Sequence, residues 1–173
     1  DLDANFTYIL QVNWGNSQQV IEDPYRFGTL LHDADTKGLQ RTFSFETLGA
    51  HVRQVGDITG THFCVWAPNA QRVSVVGAFN FWDGRRYPMR HHPENGLWEI
   101  FLPAIQAGTH YQYEILDAKG EIQLKSDPYA FRSQLRPDTT SIVSLLPKQR
   151  HPTAQQIQSN QRNAPISIYE VHL

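Results

Sequence analysis

Cysteine is almost missing. Cys64 stands alone among 173 residues, which excludes an internal disulfide framework and any cysteine-rich zinc site. Its apolar surroundings give it the role of a small buried hydrophobe. No apolar run approaches the roughly 18 residues that span a bilayer, and no charged-then-apolar leader follows Asp1. No membrane partner is therefore expected, and a cytoplasmic address is the plain expectation. Neither sign of charge dominates, since 15 Lys and Arg face 17 Asp and Glu for a net −2. The densest basic cluster, Arg85, Arg86 and Arg90, is too short to form a nucleic-acid stripe, so no nucleic-acid partner is expected. A phosphate-cradling glycine loop, a nucleophile elbow and a His-Glu-x-x-His pair are all lacking. His91 and His92 are neighbours whose side chains diverge, a poor two-ligand arrangement, so neither a metal nor a cofactor is expected.

The chain does have apolar and aromatic residues, 40% and 12% of it, enough to pack a core. Their spacing is period two, and long helical periodicity is scarce. Residues 61–66 alternate with Phe63 and Val65 on one face, and 72–77 follow with Val73 and Val75 inward. In 97–102, Trp98 alternates with Ile100 and Leu102, which gives it a core role. In 109–116, Tyr111, Tyr113 and Ile115 oppose His110, Gln112 and Glu114. The turn 117–120 then joins 121–125 into a hairpin, and one more strand is expected within 140–146. Short strands at this spacing predict an all-β, immunoglobulin-like sandwich of two antiparallel sheets over 57–147.

An internal repeat organises the rest. Asp23-Pro24-Tyr25-Arg26-Phe27 returns as Asp127-Pro128-Tyr129-Ala130-Phe131, and the hairpin pattern before each copy matches as well. Residues 1–28 therefore read as the last hairpin of an earlier sandwich, with strands over 6–12 and 20–21. Because the aspartates occupy equivalent places in repeated units, they read as structural turns, not as the paired carboxylates of a glycosidase. Residues 29–56 read as a linker with a helical turn within 30–37. Residues 148–165 read as a polar linker with weak helical character over 153–163. The β-branched run 166–173 reads as a strand whose pairing neighbours lie elsewhere.

Among polar and aromatic candidates, Trp82 leads. It lies in Ala78-Phe79-Asn80-Phe81-Trp82-Asp83-Gly84, a loop rich in turn formers that follows an apolar strand. An indole plane held in solvent can stack on the axial C–H face of a sugar. The competing reading makes Trp82 a plug at the end of the sandwich. Asn80 and Asp83 offer partners for hydroxyl groups, although both residue types also favour turns for local reasons. Gln112 and Lys125, read as pointing away from their apolar neighbours, offer donors to sugar hydroxyls or form ordinary solvated strand faces.

These residues resemble the N-terminal region of bacterial glycogen branching enzymes. The resemblance is carried by Asp23-Pro24-Tyr25-Arg26-Phe27-Gly28, Glu46-Thr47-Leu48-Gly49-Ala50-His51, Trp66-Ala67-Pro68-Asn69-Ala70, Phe79-Asn80-Phe81-Trp82-Asp83-Gly84-Arg85 and Ala164 through Leu173. The Trp66–Ala70 motif with the Trp82 loop is shared with α-glucan enzymes bearing a family 48 carbohydrate-binding module. The resemblance implies two tandem sandwich modules before a catalytic (β/α)8 barrel, with 166–173 as its first strand. The parent enzyme would cut an α-1,4-glucan and rejoin the piece through an α-1,6 bond, using carboxylates on later barrel strands. No residue of this chain takes those catalytic roles. The expected partners are α-glucan and the enzyme's own barrel. By resemblance to the glycogen-binding module of the AMP-activated kinase β subunit, Trp82 stacks on glucan and Gln112 stands where that module has a lysine. A second stacking tryptophan has no counterpart near 121–123, which implies weak binding. Two alternatives remain at this point. One is a module that braces the barrel without touching sugar. The other is the module of a debranching or trehalose-releasing hydrolase.

Overall fold

The computed structural model describes residues 8–13, 15–31, 45–146, 153–166, 168 and 170–171. Among the described residues ten strands carry the fold: β1 (Leu10–Asn13), β2 (Gln18–Ile21), β3 (Gly49–Val55), β4 (Ile58–Trp66), β5 (Arg72–Val76), β6 (Arg90–His92), β7 (Leu97–Pro103), β8 (His110–Leu116), β9 (Ile122–Lys125) and β10 (Ser141–Ile142). Two antiparallel sheets of four strands form the sandwich, one ordered β3-β4-β7-β6, the other built on β8 with β5, β9 and β10 paired to it. The fold is the expected immunoglobulin-like β-sandwich. β1 and β2 make a separate two-stranded ribbon.

Register explains which side chains meet. Residues directly opposite in an antiparallel pair share a face. Ala50, Phe63 and Ile100 stand in one row, and Val65 is opposite Trp98. From the other sheet, Val73 and Val75 face inward with Ile115 and Tyr113. These rows meet as one core of Phe63, Val65, Val73, Val75, Trp98, Ile100, Leu102, Tyr111 and Tyr113. Trp98 is buried and donates its indole N–H to Ala67 O at 3.0 Å, as a core tryptophan needs. The 87–92 segment switches sheets: Tyr87 O and the Met89 amide bond β5, while β6 pairs with β7.

The outer face of the first sheet is covered as well. Phe27 meets Phe101 edge-on at 4.7 Å, and Leu31 joins Leu48, Cys64 and Leu97 in a second buried cluster. Glu99, on β7, is fully enclosed there and accepts from Thr29 Oγ1, the Leu30 amide at 3.0 Å, His62 Nε2 at 2.8 Å and His92 Nε2 at 2.7 Å. An ionised carboxylate only accepts, so each facing imidazole nitrogen carries a proton. Burial pushes the Glu99 carboxyl up, but the bonds from His62, Thr29 and the Leu30 amide outweigh it and hold it at about 2. The segment that follows the first Asp-Pro-Tyr copy is thereby tied to the sandwich by one carboxylate.

Several expectations change. The 29–56 linker contains β3, which pairs along its whole length with β4. The run from Gly49 to Val55 lacks a dense apolar alternation because it is an edge strand, with only Ala50 and Val52 on the core face. The helical turn within 30–37 lies largely outside the described residues, as do residues 6 and 7 of the first expected strand. The strand in 140–146 shrinks to Ser141–Ile142. Within 153–163, Ala154–Ser159 is helical, closed at its start by a capping box between Thr153 and Gln156. Of the expected terminal strand 166–173, residues 167, 169, 172 and 173 lie outside the described residues, and 166, 168, 170 and 171 are in no strand. Ile166 and Ile168 are more than four-fifths exposed.

Candidate functional site: the 77–86 loop

The loop begins where β5 ends. Gly77 is extended at φ −177°, and a Cβ there would overlap the Phe79 ring and crowd His110 O, so glycine is required for close approach. Ala78–Asn80 then make a 3-10 turn whose anchor is Asn80. Its Oδ1 accepts from the Gly77 amide at 3.0 Å, and its Nδ2 donates to Val75 O at 2.9 Å and to Asp83 O at 3.3 Å. Asn80 is fully buried and its amide is spent, so it is not available to a sugar. The expectation of Asn80 as a sugar contact is corrected on that ground: its hydrogen-bonding capacity builds the loop.

Phe81 and Trp82 follow with φ 59° and 60°, both in the left-handed region that bulky side chains rarely adopt. Such strain persists only where the surroundings over-determine it. Here they do. The Phe81 amide donates to Ala78 O at 3.3 Å, Trp82 to Gly77 O at 2.9 Å and Asp83 to Asn80 O at 3.2 Å. Beyond the turn, Asp83 accepts from the Arg85 amide, Nε and Nη2 at 2.8–3.0 Å. Those bonds to Arg85 hold the Asp83 carboxyl well below the usual carboxylate range. Gly84 presses on β8, where a Cβ would collide with the Glu114 carboxylate.

The result is a braced loop that presents rings to solvent. Trp82 is 41% exposed and Phe81 is 77% exposed, while Phe79 turns in and stacks on Tyr87 at 6.1 Å. The Arg86 guanidinium sits over the Phe81 ring at 5.1 Å from its centroid. Trp82 is therefore a surface ring and does not plug the sandwich. Phe81 and Arg86 escaped the reading of the sequence. Their only signal was the dense turn chemistry of 80–84, which puts neighbouring side chains outside the core.

The remaining candidates do not join this loop as one surface. Gln112 is only 8% exposed, and its Nε2 donates to Thr139 Oγ1 at 3.1 Å. Its expected solvated face is corrected, because Thr139 covers it. Lys125 is exposed, but it pairs directly with Tyr113 and so shares the face of the core tyrosines. Gln112 is one residue out of phase with Tyr113 and lies on the opposite face. Lys125 points away from Leu124 as expected, but in the edge strand β9 it is Ile122 and Leu124 that face outward and are exposed, so Lys125 falls on the tyrosine face.

Three solved structures share features with the chain. Apo pullulanase from Klebsiella pneumoniae is 27% identical over 57% of this chain and 11% of that one, with a TM-score of 0.44. Its maltotriose complex gives 26%, 57%, 11% and 0.47. Pullulanase from Bacillus acidopullulyticus is 20% identical over 75% of this chain and 14% of that one, with a TM-score of 0.45. The chain thus spans about a tenth to a seventh of the length of these structures. Residues 47–130, from just before β3 to the second Asp-Pro-Tyr corner, match the profile of carbohydrate-binding module 48, the isoamylase N-terminal domain.

Proposed function

We propose that the chain is the α-glucan-binding part of a glycogen branching enzyme and holds polysaccharide on the 77–86 loop. The observation that carries this reading is the solvent-exposed indole of Trp82 on a rigid left-handed turn, within the segment similar to a carbohydrate-binding module. An apolar ring face takes sugar C–H groups, and a loop already fixed by Asn80 and Asp83 spends little ordering entropy on binding. The branching assignment rests on the Asp23–Gly28 and Glu46–His51 motifs, which are more specific than the loop. Catalysis belongs to carboxylates outside this chain, so purified chain leaves the iodine stain of amylose unchanged. The ribbon of β1 and β2 is the closing hairpin of a second sandwich of the same kind, as the repeat implies. A module from a debranching hydrolase is the second reading, favoured by the isoamylase description of the matching family.

Co-sedimentation with glycogen tests the binding reading. Trp82→Ala is expected to lose most of the retained protein, at unchanged circular dichroism. Retention equal to the parent chain would return Trp82 to a purely structural role.

A further inference from the structure

Phe81 is among the most exposed large apolar side chains of the sandwich, and it stands in a backbone conformation that costs energy. A solvent-facing phenylalanine could instead adopt an ordinary conformation if the chain turned one residue earlier. The loop forbids this, because the Ala78 and Gly77 carbonyls fix the Phe81 and Trp82 amides in turn. The strain therefore holds two aromatic rings outward, not one. Arg86 covers one side of the Phe81 ring, at 5.1 Å, and keeps over half of its own side chain in solvent. It is only loosely paired with Asp83, at 3.8 Å, because Asp83 is already committed to Arg85. The pair leaves one aromatic face open to solvent, with the guanidinium stacked across the ring from it.

We infer that Phe81, backed by Arg86, forms a second sugar contact beside Trp82, so that the loop engages an α-glucan chain at two points and not one. This rests on the glucan reading above. Phe81 supplies its uncovered face to one glucose unit, Arg86 backs the ring from the opposite face, and Trp82 holds another unit of the same chain.

Maltoheptaose binding to the whole chain, followed by isothermal titration with cellohexaose as a control, tests the inference. Phe81→Asn is the informative variant, since asparagine tolerates the left-handed conformation and removes only the ring. It is expected to weaken binding about 5-fold, Arg86→Ala about 2-fold, and Phe81→Trp to retain or tighten it. Trp82→Ala is expected to exceed all of these. Undiminished affinity in Phe81→Asn, with loss in Trp82→Ala, overturns the second contact and leaves the glucan reading standing. Absence of maltoheptaose binding by the parent chain, or equal binding of cellohexaose, overturns both. Phe81→Asn must keep the parent's thermal midpoint within a few degrees. If it does not, Phe81→Trp decides, and a loss of affinity there sinks the proposal.

Discussion

The two Asp-Pro-Tyr corners are built from the same bonds and live in different surroundings. In the first, Asp23 accepts from the Tyr25 amide at 2.9 Å and from the Tyr8 hydroxyl at 2.6 Å, and its carbonyl takes the Arg26 amide at 3.2 Å. In the second, Asp127 accepts from the Tyr129 amide at 2.8 Å and the Tyr111 hydroxyl at 2.6 Å, and its carbonyl takes the Ala130 amide at 3.2 Å. The registers correspond too: Leu10 opposes Ile21 as Tyr113 opposes Lys125, each two residues before the aspartate. Yet Asp127 and Tyr111 are buried beneath the opposite sheet, while Tyr8 and Leu10 are about two-fifths exposed. Local chemistry specifies the corner, and burial decides how much it contributes to stability.

That contrast predicts a steep hierarchy. Asp127→Ala leaves buried Tyr111 and Tyr113 hydroxyls without their acceptor and is expected to cost about 2–4 kcal/mol in urea unfolding. Asp23→Ala breaks the same bonds in solvent and is expected to cost under about 1 kcal/mol. Equal costs would break the comparison. Next in size is Tyr111→Phe at about 1–2 kcal/mol, with the exposed Tyr8→Phe smaller still.

Acid titration sharpens the same point at a second carboxylate. Glu99 is held at about 2, below its unfolded value, so the folded state favours its ionised form. Its contribution is present above about pH 4.3 and is lost as the pH falls toward about 2. Asp127 runs the other way. Burial raises its pKa despite the Tyr111, Tyr129 and Tyr113 donors, so its contribution is present at low pH and lost as the pH rises through the raised value. Glu99→Gln is expected to flatten the acid limb of urea midpoint against pH and to increase hydrogen exchange over 24–31. A steep acid limb in that variant would show that another group ties the segment down. The smallest effects are expected from Gln112→Ala and Lys125→Ala, each under about 2-fold in maltoheptaose affinity. A larger loss at Lys125 would move the binding surface to the other face of the sheet.

Much of the sandwich was legible because its central strands carry strong alternation: Phe63 with Val65, Val73 with Val75, Tyr111 with Tyr113 all face the core as their spacing predicts. Edge strands were harder. β3 hid within an apparent linker because a strand paired on one side needs few buried residues, and β9 turns its apolar Ile122 and Leu124 outward, which leaves Lys125 on the tyrosine face. At the candidate site, the exposure of Trp82 followed from turn residues alone. The fate of Asn80 did not, because a loop asparagine serves the backbone or a ligand with equal ease, and only its contacts with Val75 and Asp83 decide. Phe81 was invisible for a different reason. Consecutive left-handed residues are a rare backbone choice that no propensity favours for phenylalanine.

The central claim is that a strained, braced loop presents aromatic rings to polysaccharide. Amide chemical-shift mapping during a maltoheptaose titration tests it most directly. The account predicts saturable shifts centred on 77–86, with the indole signal of Trp82 moving furthest and the face of Lys125 silent. Shifts centred elsewhere, or none at millimolar oligosaccharide, would contradict it.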